Sequence, residues 1–180
     1  MVAILRTLVA LATLASLALS VPVHTSRSSK ITFIVTNRCK HSFAPIFLPA
    51  LPGKPSWSTL KHGKTERYSF FSDDYRGKVF SPLRQANTTT GEGATQGELD
   101  LYSGDYDISV ANGFNVGMYM QLLGQQEEGY CQAAICGSKT CKDAYHKESG
   151  LMTASRKGDD TVKPNHSCPP TFSTWNIQFC

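Results

Sequence analysis

The stretch YDISVANGFNVGM, residues 106–118, combines two strand patterns with a turn between them. In YDISV, residues 106–110, aromatic and β-branched side chains alternate with polar ones, which is the two-residue period of a half-buried strand. The residues NGFN, 112–115, interrupt the alternation with the glycine and asparagine that turns favour. Alternation resumes in VGMYMQLL, residues 116–123. This stretch therefore predicts two short strands joined by a tight connection.

Strand-like segments of the same kind occur along most of the chain. They are ITFIVTNRC (31–39), ERYSFF (66–71), KVFSPL (78–83), ELDLYS (98–103) and STWNIQFC (173–180). The proline-rich residues 41–56 favour an edge strand and loop, and the Gly-rich residues 86–97 favour a loop. The polar residues 146–167 are also predicted to form a long surface loop. No apolar stripe of helical period interrupts this pattern, so the sequence predicts one all-β domain over residues 21–180, either a sandwich or a barrel.

The N-terminal residues 1–20 have the features of a secretory signal peptide. Arg6 provides a positive start, an apolar run follows from Leu8 to Leu19, and small residues near Ser20 suit a cleavage site. We therefore expect an extracellular protein of the cell wall, without stable membrane insertion and monomeric. The formal net charge is only +4, and the basic residues are scattered, which disfavours a nucleic-acid partner. A weak attraction to acidic wall polymers remains open.

Six cysteines in an exported chain favour three disulfides over free thiols. Three of them, Cys131, Cys136 and Cys141, follow one another with four residues between neighbours. This spacing does not match common zinc patterns, so we expect no metal and no other cofactor. The sequence by itself leaves every pairing of the six cysteines open.

Several motifs together resemble the thaumatin-like (osmotin) family. They are ITFIVTNRC, YDISVANGFNVGM, CQAAIC, CKDAY and the ending WNIQFC, in the family's order from Ile31 to Cys180. Family members typically have many more cysteines, and a cysteine-rich second domain where this chain has only GSKT, residues 137–140. Pro82 and Leu83 also stand where the family has Arg-Thr, and Gly117 replaces a proline. The resemblance therefore implies a small member without that domain.

The resemblance implies a fold and a cysteine pairing. The expected fold is a β-sandwich of two antiparallel sheets. The expected disulfides are Cys39–Cys180, Cys131–Cys168 and Cys136–Cys141. The first of these would join the first strand to the last.

The resemblance also implies a polar site that the family builds from an arginine and four carboxylates. Carried over, the positions are Lys78, Glu98, Asp107, Asn112 and Asp143. Such side chains suit polysaccharides because sugar hydroxyls donate hydrogen bonds to carboxylate and amide oxygens. Glu98 with Asp107 or Asp143 would supply the two carboxyl groups that glycoside hydrolysis requires. Plainer structural roles remain open: Asp143 capping a turn, and Asp107 pairing with Lys78.

Three functions follow as expectations. The first is non-catalytic binding of cell-wall β-1,3-glucan in an antifungal or defence-like role. The second is a weak endo-β-1,3-glucanase, which an open site without the second domain would disfavour because its carboxylates would keep ordinary pKa values. The third is a secreted inhibitor or effector with a protein partner.

Other side chains could contribute to such a role or modify the surface. Aromatic residues near the polar positions could stack on sugar rings, although any one of them could equally be a core residue. They are Tyr102, Tyr106, Phe114 and Tyr119. Asn87 and Asn165 begin glycosylation sequons in predicted loops.

Overall fold

The computed structural model describes residues 29–72, 74–123, 131–147, 166–168 and 173–180. Its ten strands form two five-stranded sheets. The strands are β1 (Lys30–Asn37), β2 (Ile46–Leu48), β3 (Thr65–Phe71), β4 (Arg76–Phe80), β5 (Gln96–Asp100), β6 (Asp105–Ser109), β7 (Met118–Leu123), β8 (Ala134–Cys136), β9 (His166–Ser167) and β10 (Thr174–Phe179). The predicted signal peptide, residues 1–20, lies outside the described residues.

The first sheet has the strand order β3-β1-β10-β7-β8, and the second has the order β2-β4-β5-β6-β9. Among these strands every pair is antiparallel except β1 with β10, which run parallel. The prediction of two antiparallel sheets thus holds apart from this one pair. A parallel pair needs a long connection, and here most of the domain lies between the two strands.

The core lies between the two sheets because alternate residues of each strand face inward. Phe33 of β1 and Trp175 of β10 are almost fully buried, with their rings 6.2 Å apart. Tyr106 of the second sheet meets Trp175 edge-on at 5.2 Å, so the aromatic contact crosses from sheet to sheet. The alternation read from residues 31–39 and 173–180 is therefore confirmed.

All three disulfides expected from the family resemblance are present. Their Cα–Cα distances are 5.0 Å for Cys39–Cys180, 4.6 Å for Cys131–Cys168 and 5.3 Å for Cys136–Cys141. The first closes a loop with a sequence separation of 141 residues. In the chain-entropy description such a long loop stabilises the fold by about 5 kcal/mol, and a short loop by less.

Two short strands were not predicted. Ala134–Cys136 forms β8 beside β7, and His166–Ser167 forms β9 beside β6. Each is too short for its alternation to be seen in the sequence. Of the remaining predicted surface loop, residues 148–165 lie outside the described residues.

The second sheet has a small apolar cluster on its outer face. Phe80, Ala86 and Ala94 are buried there, with Ile46 and Leu48 packed against them. The predicted loop of residues 86–97 therefore folds over one end of this face, and its last two residues belong to β5.

Candidate functional site

Three of the five predicted site residues form one row across the second sheet. Lys78 of β4 lies opposite Glu98 of β5, and Glu98 lies opposite Asp107 of β6. Directly opposed residues of antiparallel strands point to the same face, with Cβ atoms about 4.5–5.5 Å apart. The face is the outer one, because the neighbouring Gly97 faces the core: a Cβ added there would lie 2.1 Å from the Met120 Sδ of the other sheet. Strand register therefore brings Lys78, Glu98 and Asp107 together.

A second row beside the first carries charged residues that sequence reasoning missed. Arg76 lies opposite Asp100, and Asp100 lies opposite Asp105. The signal was present as two-residue spacing, in ELD (98–100) and DYD (105–107), which places each pair of carboxylates on one face. Asp100 also has a structural role: it accepts hydrogen bonds from the backbone of Tyr102 at 3.0 Å and Ser103 at 3.2 Å.

The two carboxylates of the first row are not open to solvent. Glu98 is 6% exposed and Asp107 is 0% exposed. Lys78, by contrast, is only half-buried, and its Nζ donates to the Thr90 carbonyl at 2.7 Å. The row thus runs from an accessible cation to a buried carboxylate.

A polar cleft begins where the row reaches the surface. Its volume is about 470 Å³, and its lining residues are Lys78, Thr90, Glu92, Ala111 and Asn112. The backbone of Gly93 donates to the Asn112 carbonyl at 2.7 Å, which joins the two loops that form the walls. Asn112 itself is exposed. The fourth predicted residue, Asn112, thus shares this cleft with Lys78.

The turn beside the cleft requires glycine. Gly113 has a φ of +135°, and a Cβ at this position would lie 2.5 Å from the Gly93 Cα. A side chain here would meet both an unfavourable backbone conformation and a backbone clash. The glycine of the NGFN turn therefore permits the close approach of the two cleft loops.

Asp143 lies elsewhere. Its Oδ1 pairs with His166 Nε2 at 2.8 Å, and its Oδ2 accepts from the Ile135 N–H at 2.8 Å. His166 stacks on Tyr106 at 5.4 Å. Tyr106 alternates with Asp107 along β6, so Asp143 is held on the face opposite to that of Glu98 and Asp107. Asp143 therefore links β8 of one sheet to β9 of the other.

The four candidate stacking aromatics differ in exposure. Tyr106 is fully buried, and its burial raises the pKa of its phenol well above the usual value, so the hydroxyl stays protonated and donates to Gln132. Phe114 and Tyr119 are partly buried. Tyr102 is 68% exposed at the β5–β6 turn, with the Arg76 guanidinium 5.8 Å from its ring centre. Among the four, Tyr102 alone presents most of its ring to solvent.

The first sequon lies in the loop that contributes Thr90 and Glu92 to the polar cleft. Asn87 is exposed, and its Oδ1 accepts from the backbone of Thr89 at 2.8 Å and Thr90 at 3.1 Å. Asn165 lies outside the described residues. Glycosylation at both positions remains a prediction.

Comparison with known proteins places the fold. No protein-family model matches the sequence, and no curated protein is significantly similar to it. A solved structure of the protein elicitor MoHrip2 from Magnaporthe oryzae matches with a TM-score of 0.51 at 17% identity, covering 83% of this chain and 98% of that one. The thaumatin-like xylanase inhibitor TLXI matches with a TM-score of 0.45 at 18% identity, covering 82% and 98%.

The chain has a thaumatin-like fold. Two facing sheets and the three disulfides agree with the thaumatin-like β-sandwich that the sequence motifs implied. At this level of identity a structural likeness describes the fold alone and does not extend to function.

Within residues 29–72, 74–123, 131–147, 166–168 and 173–180, no group of three or more His, Cys, Asp or Glu side chains is arranged to hold a metal ion. No helix in that same part of the chain has the length and apolar character needed to cross a membrane.

Proposed function

We propose that this protein is secreted and binds a neutral cell-wall polysaccharide of the β-1,3-glucan type without cleaving it. One observation carries the proposal: the accessible polar cleft of Lys78 and Asn112 lies beside carboxylates that are themselves buried. The sugar contacts are assigned to the exposed groups around the row and not to Glu98 and Asp107.

The exposed groups form a strip along β4. Arg76 and Lys78 are alternate residues of one strand, so they lie on one face about 6.6 Å apart. The Tyr102 ring lies beside Arg76 at one end, and Asn112 and Glu92 lie beside Lys78 at the other. A ring for stacking, cations that donate hydrogen bonds, and amide and carboxylate oxygens that accept them suit a chain of sugar units.

Hydrolysis fits this geometry less well. The Glu98–Asp107 register would permit the carboxyl separation of about 5 Å that retaining glycosidases use. However, the acid must reach the glycosidic oxygen, and the second carboxylate must reach the sugar carbon. Asp107 is 0% exposed, so a polysaccharide chain has no access to it.

The test is a pull-down on insoluble β-1,3-glucan with a matched aromatic control. Tyr102→Ala removes a platform that would cover on the order of 40–80 Å² of sugar surface, costing about 1–2 kcal/mol, or roughly five- to thirtyfold in affinity. Asn112→Ala should also weaken binding, through lost hydrogen bonds. Phe71→Ala is the control, since Phe71 is 67% exposed on β3 of the other sheet, compared with 68% for Tyr102.

If the Tyr102→Ala and Phe71→Ala variants are retained equally on β-1,3-glucan, the proposal is refuted. So would release of reducing sugar from laminarin that Glu98→Gln abolishes, because that result assigns catalysis to the buried row. We expect no such release.

A further inference from the structure

A second cleft lies away from the polar cleft and has a different character. Its volume is about 690 Å³, and it is formed by the segment after β1, the turn after β4, the end of the segment before β7 and Cys180 after β10. Its lining residues are Arg38, Cys39, Lys40, His41, Leu83, Arg84, Val116 and Cys180. No residue is shared with the polar cleft. We refer to it as the basic cleft.

The rim of the basic cleft is positively charged. Arg38, Lys40 and Arg84 are exposed, and none of the lining side chains is a carboxylate. A main-chain carboxylate on Cys180 would add one negative charge against these three permanent positive ones. A cleft lined by charges of one sign focuses the electric field and so raises the local concentration of ligands of the opposite charge.

The floor of the basic cleft is apolar. Val116 is 5% exposed, Leu83 is partly buried against the main core, and the Cys39–Cys180 disulfide completes the surface. An apolar centre within a polar rim is the usual arrangement of a protein-binding site, and arginine is enriched at such sites. A neutral glucan offers no charge for the rim, so this cleft is assigned to a different ligand.

The walls are fixed before any ligand binds. Arg84 has φ 55° and ψ 39°, and Gln85 has φ 62°, so two successive residues other than glycine are in the left-handed region. Such backbone persists only where the surroundings hold it. Asn115 does so by donating to the Leu83 carbonyl at 2.9 Å. On the opposite wall, the Arg38 N–H donates to the Phe179 carbonyl at 2.9 Å.

We propose that the basic cleft binds a segment of a protein partner in which acidic side chains flank an aliphatic one. The acidic side chains would meet Arg38, Lys40 and Arg84, and the aliphatic side chain would cover Leu83, the partly exposed apolar residue of the floor. The volume lies within the range of about 300–1,000 Å³ that ligand sites have, which is enough for a few side chains. This proposal does not depend on glucan binding.

The probe is a fluorescein-labelled peptide, DEDLEDE, titrated with the full chain and followed by fluorescence anisotropy. Lys40→Glu with Arg84→Glu should weaken binding about tenfold or more, because two rim attractions become repulsions. The matched control is Lys30→Glu with Arg67→Glu, which reverses two exposed cations on β1 and β3 of the first sheet and changes the net charge equally. The control should bind as the unaltered chain does.

Two measurements on the unaltered chain keep the test decisive if a variant misfolds. Amide chemical-shift changes on peptide addition should cluster at residues 38–41, 83–84 and 116. The peptide DEDSEDE should bind several-fold more weakly than DEDLEDE, because it lacks the aliphatic contact.

Equal loss in the control variant, or equal affinity for the two peptides, would overturn the proposal in favour of general attraction to polyanions. Polygalacturonate that binds where DEDLEDE does not would overturn it in favour of an acidic polysaccharide.

Discussion

Replacement of Asn115 by alanine should destabilise the protein more than most single substitutions. The side chain is 2% exposed and makes four hydrogen bonds. Its Nδ2 donates to the carbonyls of Ser81 at 2.7 Å and Leu83 at 2.9 Å, and its Oδ1 accepts from the backbone of Thr95 at 3.1 Å and Val116 at 2.8 Å. One amide thus joins the turn after β4 to the starts of β5 and β7.

The magnitude follows from the partners that alanine leaves behind. Two carbonyls and two N–H groups lose their shared partner, and a hydrogen bond lost with one buried group left unsatisfied costs about 1–3 kcal/mol. Water entering the space would satisfy part of this set, so we take about 1 kcal/mol for each, or about 4 kcal/mol in total. At roughly 2–4 °C per kcal/mol for a domain of this size, Tm should fall by about 8–16 °C.

The assay is thermal and urea unfolding followed by circular dichroism under non-reducing conditions, so that the disulfides stay intact. Asn112→Ala is the matched control, because Asn112 lies in the same NGFN turn but is exposed. Surface substitutions of this kind usually change the free energy of unfolding by less than about 0.5 kcal/mol. The comparison therefore isolates the buried hydrogen bonds from the cost of changing asparagine to alanine in a turn.

A loss below about 1.5 kcal/mol for Asn115→Ala would refute the reasoning, since four buried groups could not then depend on this amide. An equal loss for Asn112→Ala would refute it differently, by showing that the turn tolerates no alanine at either position.

Two further outcomes follow from the packing and the charges. Gly97→Ala should lower the free energy of unfolding measured in urea by about 1–3 kcal/mol, because its Cβ would lie 2.1 Å from the Met120 Sδ in a filled core. Gly137→Ala is the control and should lower it far less, because no atom lies within 4 Å of its Cβ. Burial by itself would raise the pKa of the Glu66 carboxyl group. Hydrogen bonds from Lys54 and Ser58, together with the positive charge of Lys54, outweigh this effect and lower the pKa. Because the pKa of this carboxyl group is lower in the folded than in the unfolded state, its ionised form stabilises the fold at pH values above the unfolded-state pKa. That contribution is lost as the pH falls through the folded-state pKa. Glu66→Gln removes it, so the decrease in the free energy of unfolding between pH 7 and pH 3 should be smaller in this variant. An unchanged acid dependence in that variant would show that other carboxylates account for it.

Strand alternation predicted much of the fold because the physical cause is local. In residues 31–35 and 175–179 every second side chain is apolar, and those side chains are the ones buried between the sheets. The same rule applied to ELD and DYD would have placed four carboxylates on the outer face of the second sheet. It would also have suggested that they meet solvent, whereas Glu98 and Asp107 are covered. Alternation fixes the face of a side chain but not what packs over that face.

The features that alternation could not predict depend on contacts between distant segments. Asp143 is defined by a histidine 23 residues away and by a strand of only three residues, so no local pattern marks its role. Arg38 and Arg84 line one cleft because β1 and β4 end near each other, although they belong to different sheets. The left-handed backbone at Arg84 is equally hidden, because arginine rarely adopts it without tertiary support.

The row of Lys78, Glu98 and Asp107 shows why residues matched to a family's site also need to be tested for exposure. Residue type at the matched positions is largely kept in Glu98 and Asp107, yet both lie where a polysaccharide does not reach. Opposed carboxylates on neighbouring strands repel each other, so such a row is stable only where the surroundings offset its charge. Lys78 continues the row on the other side of Glu98, and its ammonium also donates to the Thr90 carbonyl in the polar cleft. The groups that a ligand can contact are thus the neighbours of the matched carboxylates, and they were placed there by strand register and loop packing. Chemical function at this face should therefore follow the exposed cation, amide and aromatic ring even where the matched carboxylates are kept.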